Sequence, residues 1–286
     1  MLGRVLYCRQ FLDAALAETN SADARYIAFQ SYLTAPFLLR QVNELEYSFT
    51  GKIICDAGTG LGILPCVLKE KNPLKIIAFD LDAGSLKTAA AINGSANTSY
   101  INADVRSMPF KAEIFDAIFA RYVFQHINIS PPFLSEIKRT LKYGGLLILI
   151  DIEDDMTLYY PEPTDNSKKL FNAYSRYQAL NGGDRNISKK LPSFLSSGGF
   201  CDIKIKPFTQ IFFKRKNDYG SAGQIKNAFL LLQNEFESVK KNLFEKKMIT
   251  PPEYHIGLND YYKFLNSEKE DILVSKTDFL ITCVKK

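Results

Sequence analysis

KIICDAGTGLGIL, residues 52–64, is the stretch on which the reading of this chain turns. Lys52 to Cys55 is a short apolar run of the kind that makes a buried parallel strand. It ends on Asp56, and Gly58, Gly60 and Gly62 follow at alternate positions. Leu64, Val67 and Leu68 then fall at helical spacing. The stretch reads as strand, tight glycine turn, helix. Glycines there let the backbone take positive φ and let a ligand approach without meeting a Cβ. Backbone N–H groups and a helix N-terminus face whatever binds.

The dinucleotide fingerprint G-x-G-x-x-G/A requires Gly or Ala at position 63, which holds Ile63. The pattern is instead D-x-G-x-G-x-G. An acid beside the loop repels a pyrophosphate and suits a ligand with a cationic end. S-adenosylmethionine carries an ammonium and a sulfonium and no phosphate.

Working outward, the same alternation repeats. Lys75 to Phe79 is a second apolar strand ending on Asp80, and Ala83 to Ile92 a helix closed by Asn93-Gly94. Ser99 to Ala103 is a third strand ending on Asp104, and Ile114 to Ala120 a fourth. Pro131 to Leu141 is a helix stopped by Gly144-Gly145, and Leu146 to Ile150 a fifth strand ending on Asp151. Strands alternating with helices predict an open, doubly wound α/β sheet, with ligands at the carboxyl ends of the strands. Asp56, Asp80 and Asp104 then stand side by side along that edge. Asp56 balances the ligand's cationic amino-acid end. Asp80 accepts both ribose hydroxyls, as the acid of dinucleotide folds does. Asp104 accepts the adenine amine, the Val105 N–H reaches a ring nitrogen, and Leu81 packs on the adenine face.

The rest of the composition narrows the field. The chain has 286 residues, 46% of them hydrophobic, enough for one large α/β domain with an appendage. The charge of +5 is a modest basic excess, spread along the chain; it is consistent with nucleic-acid binding but does not argue for it, and nucleic acid is not the expected partner. The five cysteines, Cys8, Cys55, Cys66, Cys201 and Cys283, form no C-x-x-C pair, and His126 and His255 are the only histidines. The pattern predicts reduced thiols and no metal centre. No apolar run has the length of a membrane span and the N-terminus lacks a signal-peptide pattern, so a cytoplasmic protein without a membrane partner is expected.

The first 50 residues read as a helical lid. Val5, Leu6, Leu12 and Leu16 suggest a short helix, and Tyr26, Ile27, Phe29 and Leu33, after Ser21, a second one. Near the other end, Phe229, Leu232, Phe236, Val239, Leu243 and Phe244 have helical spacing. Residues 217–266 therefore read as a helical insertion, a cap, with 51–216 and 267–286 forming the ligand-binding domain.

These motifs resemble class I S-adenosylmethionine-dependent methyltransferases. The resemblance is carried by DAGTGLG, the acid in AFDLD, NADV, FDAIFARYVFQHI and LKYGGLLILID. It extends through GGDRNISKKLPSFLSSGGF and ITPPEYHIGLNDYYKFL and is nearest to the small-molecule (type 11/25-like) group. The usual Pro-Gly-Gly before the fifth strand is Tyr143-Gly144-Gly145 here. The resemblance implies a Rossmann-like, seven-stranded sheet with a reversed last strand: Phe200 to Lys206 as the sixth, Asp278 to Val284 as the antiparallel seventh. It also implies S-adenosyl-L-methionine as cofactor, S-adenosyl-L-homocysteine as product, and a small-molecule acceptor, possibly a secondary metabolite. Arg121 and Tyr26 join the glycines and acids as expected cofactor-binding residues.

Methyl transfer requires donor and acceptor to be aligned in a dry pocket, with a base only where the acceptor must shed a proton. His126, Glu153 and His255 are the catalytic candidates; Tyr122, Gln125, Asp151 and Tyr254 stand near them. Ala120-Arg121-Tyr122-Val123 replaces the Asp/Asn-Pro-Pro-Tyr/Phe motif of adenine and glutamine-amide methyltransferases. The alternatives are an RNA or protein methyltransferase and a non-catalytic cofactor-binding protein. A monomer or homodimer is expected. The last expectation is that the Tyr26 to Tyr32 stretch and the insertion meet over the cofactor, with Tyr254 and His255 at the rim.

Overall fold

The computed structural model describes residues 11–18, 22–129, 131–216 and 222–286. Val5, Leu6, Cys8, Ser21 and the Phe229 side chain, on which some expectations rest, lie outside what is described. Residues 11–18 are helical. The elements that follow are α1 (Ala22–Asn43), β1 (Ile53–Ala57), α2 (Ile63–Lys69), β2 (Lys75–Asp80), α3 (Ala83–Asn93) and β3 (Thr98–Asn102). Next come β4 (Phe115–Arg121), α4 (Pro131–Thr140), β5 (Leu141–Ile152), β6 (Leu158–Tyr160), α5 (Asp165–Leu180) and α6 (Leu191–Ser197). The chain closes with β7 (Phe200–Lys214), α7 (Ala222–Glu245), α8 (Pro251–Leu265) and β8 (Ile272–Lys285).

The sheet order is β3-β2-β1-β4-β5-β8, with β7 on the outer side of β8. The first five strands are parallel and β8 runs against β5. This is the doubly wound sheet with a reversed last strand, enlarged in one respect. Short β6 also pairs with β8, past the end of β5, giving eight strands. The β7–β8 ladder continues from Phe200↔Lys285 to Lys214↔Ile272, so the hairpin runs well beyond the expected sixth and seventh strands.

Apolar side chains fill both faces, as a parallel sheet requires. Ile54, Phe119, Ile148 and Ile150 pack under α1 and α2, and Cys55, Ile118, Leu147 and Leu149 face α4 and α6. A third cluster joins Tyr174 of α5, Phe236 of α7 and Tyr254, Tyr261 and Leu265 of α8 over the hairpin extension. The two glycines before the fifth strand do not stop a helix. α4 ends at Thr140, and Gly144, at φ +71°, lies in a bulge where the register jumps between Leu141 and Leu146. Among the described residues no helix is long and apolar enough to cross a membrane.

The glycine turn separates into two functions. Gly62 ends the turn at φ +79°, and a Cβ there would lie 2.8 Å from the Tyr100 hydroxyl. It lets α2 settle against α3 and β3 and is no part of the cavity described below. This corrects its assignment as a cofactor residue. Gly62→Ala is expected to destabilise the fold by about 1–2 kcal/mol in urea unfolding, from left-handed strain plus the clash. S-adenosylhomocysteine affinity should stay within about twofold, because the substitution points away from the cleft.

Candidate active site

A cavity of about 400 Å³ opens at the carboxyl ends of β1, β2 and β4. Gly58, Thr59 and Gly60 form its floor, Asp80 and Leu81 one end, and Arg121, Tyr122 and Val123 the opposite side. Its roof comes from three helices: Tyr26, Ile27, Gln30 and Ser31 of α1, Tyr174 and Gln178 of α5, and Ser238 and Val239 of α7. His126 stands between floor and roof.

The loop is latched to β2. Gly58 N and Thr59 N donate to the Phe79 carbonyl at 2.9 and 3.0 Å. Gly60 N donates to Asp80 Oδ2 at 2.8 Å, and Asp82 N to Asp80 Oδ1 at 3.0 Å. Asp80 therefore shapes the turn as well as facing the cavity, and each of its oxygens keeps a further lone pair for a ligand hydroxyl. Asn102 Nδ2 donates to the carbonyls of Asp80 and Leu81 and holds that corner from β3. Gly58 sits at φ +74°, where a Cβ would come within 2.5 Å of Val123 Cγ2. At Gly60, φ +52°, a Cβ would press on Ile27 of the roof at 3.3 Å.

Under the loop lies Asp56, almost wholly buried, its Oδ2 without a hydrogen-bond partner. Burial pushes its pKa up to about 7; Asp80 adds to the shift, and Thr59 and Arg121 oppose it. Arg121 hydrogen-bonds Thr34 of α1 through Nη2, stacks on Tyr122 at 4.2 Å, and leaves its own buried Nε unpaired. A buried acid beneath the loop and, in the cavity wall, a buried guanidinium N–H without a partner suit a ligand group carrying both charges. An amino-acid end is such a group. At the other end Leu81, 62% exposed, offers a flat apolar surface beside Ala103 and Val105. The residues present thus fit S-adenosylmethionine: Asp56 and Arg121 would face its zwitterion, Asp80 its ribose, and Leu81 and Val105 its adenine.

Asp56 makes stability depend on pH. A carboxyl whose folded pKa exceeds its unfolded value near 3.8 holds its proton more tightly when folded. The associated stability is full below about pH 4 and is lost as pH rises through about 7. Asp151, buried at the end of β5 and also pushed up to about 7 by burial, acts over the same window. The ligand-free protein is therefore expected to lose melting temperature between about pH 4 and 7. Asp56→Asn should remove part of that loss, and the shares of Asp151 and of Asp278, whose carboxyl burial also pushes up, should persist.

Several expected residues stand elsewhere. Asp104 lies past the end of β3 and is absent from the cavity wall. Its carboxylate is gripped by the Arg106 guanidinium, with Nη2 to Oδ2 at 2.6 Å, which holds its pKa below the usual range. Glu153 is buried and bound to the Lys189 segment, accepting from Lys189 N at 3.0 Å and facing Lys189 Nζ at 3.0 Å. It fastens a loop and does not reach the cavity. Tyr254 and His255 are not at the rim. Thr250 and Glu253 form a capping box that starts α8. The helical period then buries Tyr254, Tyr261 and Leu265 and turns His255 outward to solvent. Asp151 accepts from Gln125 N at 3.2 Å and anchors the turn that carries His126. Tyr122, at φ +56°, donates to Asp278 Oδ2 at 2.6 Å.

The structure adds residues that the motifs did not single out. Tyr26–Gln30 and Tyr174–Gln178 are two Tyr-x-x-x-Gln pairs on different helices, each with the glutamine donating to the phenol at 2.8 Å. Glu235 of α7 is buried and ion-paired to Arg185 at 2.8 Å. A signal existed: Glu235 falls on the apolar stripe Leu232, Phe236, Val239, where an acid requires a buried partner.

The fold is the Rossmann-like one of methyltransferase structures. Residues 55–149 match the methyltransferase domain family, and the protein carries such a domain. Phosphoethanolamine N-methyltransferase 1 of Triticum aestivum is 24% identical over 203 residues, 69% of this chain and 38% of that protein. A malonyl-[acyl-carrier protein] O-methyltransferase of Gallionella capsiferriformans is 29% identical over 150 residues, 49% of this chain and 52% of its own. The chain thus spans about half or less of the length of these curated relatives. Among solved structures, phosphoethanolamine N-methyltransferase 2 of Haemonchus contortus in complex with S-adenosyl-L-methionine superposes with a TM-score of 0.55 at 18% identity. That likeness covers 91% of this chain and 57% of the other.

Proposed function

We propose that this protein transfers a methyl group from S-adenosylmethionine to a small-molecule acceptor. The observation that carries the reading is the continuity of one cavity from the glycine loop and Asp80 to a roofed chamber beside His126. When bound, the cofactor supplies an electrophilic methyl group. The chain's own residues align the reactants and exclude water. His126 is the proposed base: it stands in the cavity wall, and desolvation together with the charge of Arg185 lowers its pKa. The relatives' names, an N-methyltransferase and an O-methyltransferase, are both compatible with such a reading. A cytoplasmic location and a monomer or homodimer complete the reading.

Calorimetry with S-adenosylhomocysteine, followed by transfer of labelled methyl groups to a panel of alcohols, phenols and amines, tests it. A flat titration at millimolar ligand would overturn it.

We assign residues 1–50 and 217–266 as lid and cap, with α5 as a third wall. α1 packs against α7, and both contribute to the cavity roof. Hydrogen exchange of 22–43 and 222–245 is expected to slow on binding S-adenosylhomocysteine. Protection limited to the glycine loop would leave these helices as fixed scaffold.

A further inference from the structure

Arg121 and Tyr122 are neighbours at the end of β4, yet their side chains stack. Successive side chains of a strand point to opposite faces, so such a stack needs a break in the strand. Tyr122 supplies it at φ +56°, a left-handed conformation that residues other than glycine rarely adopt. Two contacts hold it there. Its N–H donates to the Ile150 carbonyl of β5 at 2.8 Å, and its hydroxyl donates to Asp278 Oδ2 at 2.6 Å. Asp278 is buried on β8, 156 residues further along the chain, in register with Ile152 of β5 and Phe208 of β7. The Arg121 guanidinium carbon lies over the Tyr122 ring, 4.2 Å from its centroid.

The guanidinium is gripped from a second side. Arg121 Nη2 donates to the Thr34 hydroxyl of α1, and that hydroxyl donates to the Gln30 carbonyl at 2.6 Å. Arg121 forms part of the cavity wall, and its buried Nε has no partner among the described residues. Ring and hydroxyl thus clamp a planar group and leave its Nε–H donor uncommitted. An arginine free to turn loses that freedom when it meets an anion. One already clamped on two sides does not, and the saving appears as affinity.

Resting on the methyltransferase reading above, we propose that Asp278 is a positioning residue for the amino-acid end of the cofactor. It fixes the Tyr122 ring, the ring fixes the plane of the Arg121 guanidinium, and the Nε–H is held ready for the α-carboxylate. The pairing of β8 with β5 is what brings Asp278 to Tyr122, so the reversed strand contributes to cofactor recognition without reaching the cofactor. A selectivity follows. The contact serves only ligands that carry the amino-acid end. S-adenosylhomocysteine has it. 5′-Methylthioadenosine, the same adenosine thioether with a methyl group on sulfur in place of that chain, does not. A bond that merely tied β4 to β8 would affect both ligands alike.

Tyr122→Phe keeps the ring and its stack and removes the hydroxyl. Calorimetry on the full chain should show it binding S-adenosylhomocysteine about tenfold more weakly, the effect of one hydrogen bond. Its affinity for 5′-methylthioadenosine should stay within about twofold of wild type. Arg121→Gln should weaken S-adenosylhomocysteine binding by itself. Adding Tyr122→Phe to it should then cost nothing more, because the hydroxyl acts through the guanidinium. Should Tyr122→Phe fail to fold, Tyr122→Phe combined with Asp278→Leu removes donor and acceptor together and should show the same selective loss. Equal losses for both ligands, additive losses with Arg121→Gln, or wild-type affinity for S-adenosylhomocysteine in a folded variant would each overturn the assignment. A wild type that binds neither ligand overturns the methyltransferase reading and this assignment with it; selective loss in a variant of a protein that binds both supports the positioning function.

Discussion

Asp80→Ala is expected to weaken S-adenosylhomocysteine binding about a hundredfold. Two effects combine. The carboxylate is placed to accept both ribose hydroxyls, and hydrogen bonds to an ionised acceptor contribute about 1.5–3 kcal/mol each. It also receives Gly60 N at 2.8 Å and Asp82 N at 3.0 Å, so its loss frees the turn that forms the cavity floor. A loss of about 3 kcal/mol corresponds to about two decades in Kd. Asp104→Ala should cost far less, because Arg106 already occupies that carboxylate and it lies outside the cavity wall. Calorimetry on both variants checks the ranking. Equal losses would mean that the adenine end, not the ribose, carries the affinity.

His126→Ala should lower kcat by about 10²–10³-fold, within the usual range for removing a general base. Cofactor affinity should change little, since the ring sits toward the roof and the glycine loop is held without it. The pH profile of kcat/KM should lose its acidic limb in the variant, because a base with a lowered pKa sets that limb in the wild type. Retention of most activity would show that the acceptor sheds its proton to solvent and that alignment alone drives transfer.

The glycine turn and the acids beside it were legible because their signals are local. D-x-G-x-G-x-G lies within one strand–turn–helix unit, and the demands it meets are backbone demands: positive φ at Gly58 and Gly60, and space where a Cβ would strike Val123 or Ile27. Asp80 is one βα unit away, a distance the parallel sheet itself sets. Gly62 was misassigned because the motif shows that a glycine is needed and not which neighbour needs it. Here that neighbour is Tyr100.

The acceptor half was not legible in the same way. His255 has the chemistry of a catalytic residue, but the capping box of α8 sets a helical phase that turns it outward. Glu153 sits on a strand end, as Asp56 does nearly, yet Lys189 neutralises it. His126 differs from both only in its surroundings.

The sequence alone determined the order of strands and helices, the glycine turn, the acids at the strand ends and the class of cofactor. Each depends on spacing within a few tens of residues and on the fixed geometry of parallel βα units. The tertiary structure decided which side chains close the chamber. Tyr26, His126, Gln178 and Val239 come from α1, the turn after β4, α5 and α7. They meet only because the long β7–β8 hairpin carries α7 and α8 back over the sheet edge, where their apolar faces are buried against α5 and α1. Burial of that kind is non-directional and summed over many residues, so no short motif records where it brings a polar group.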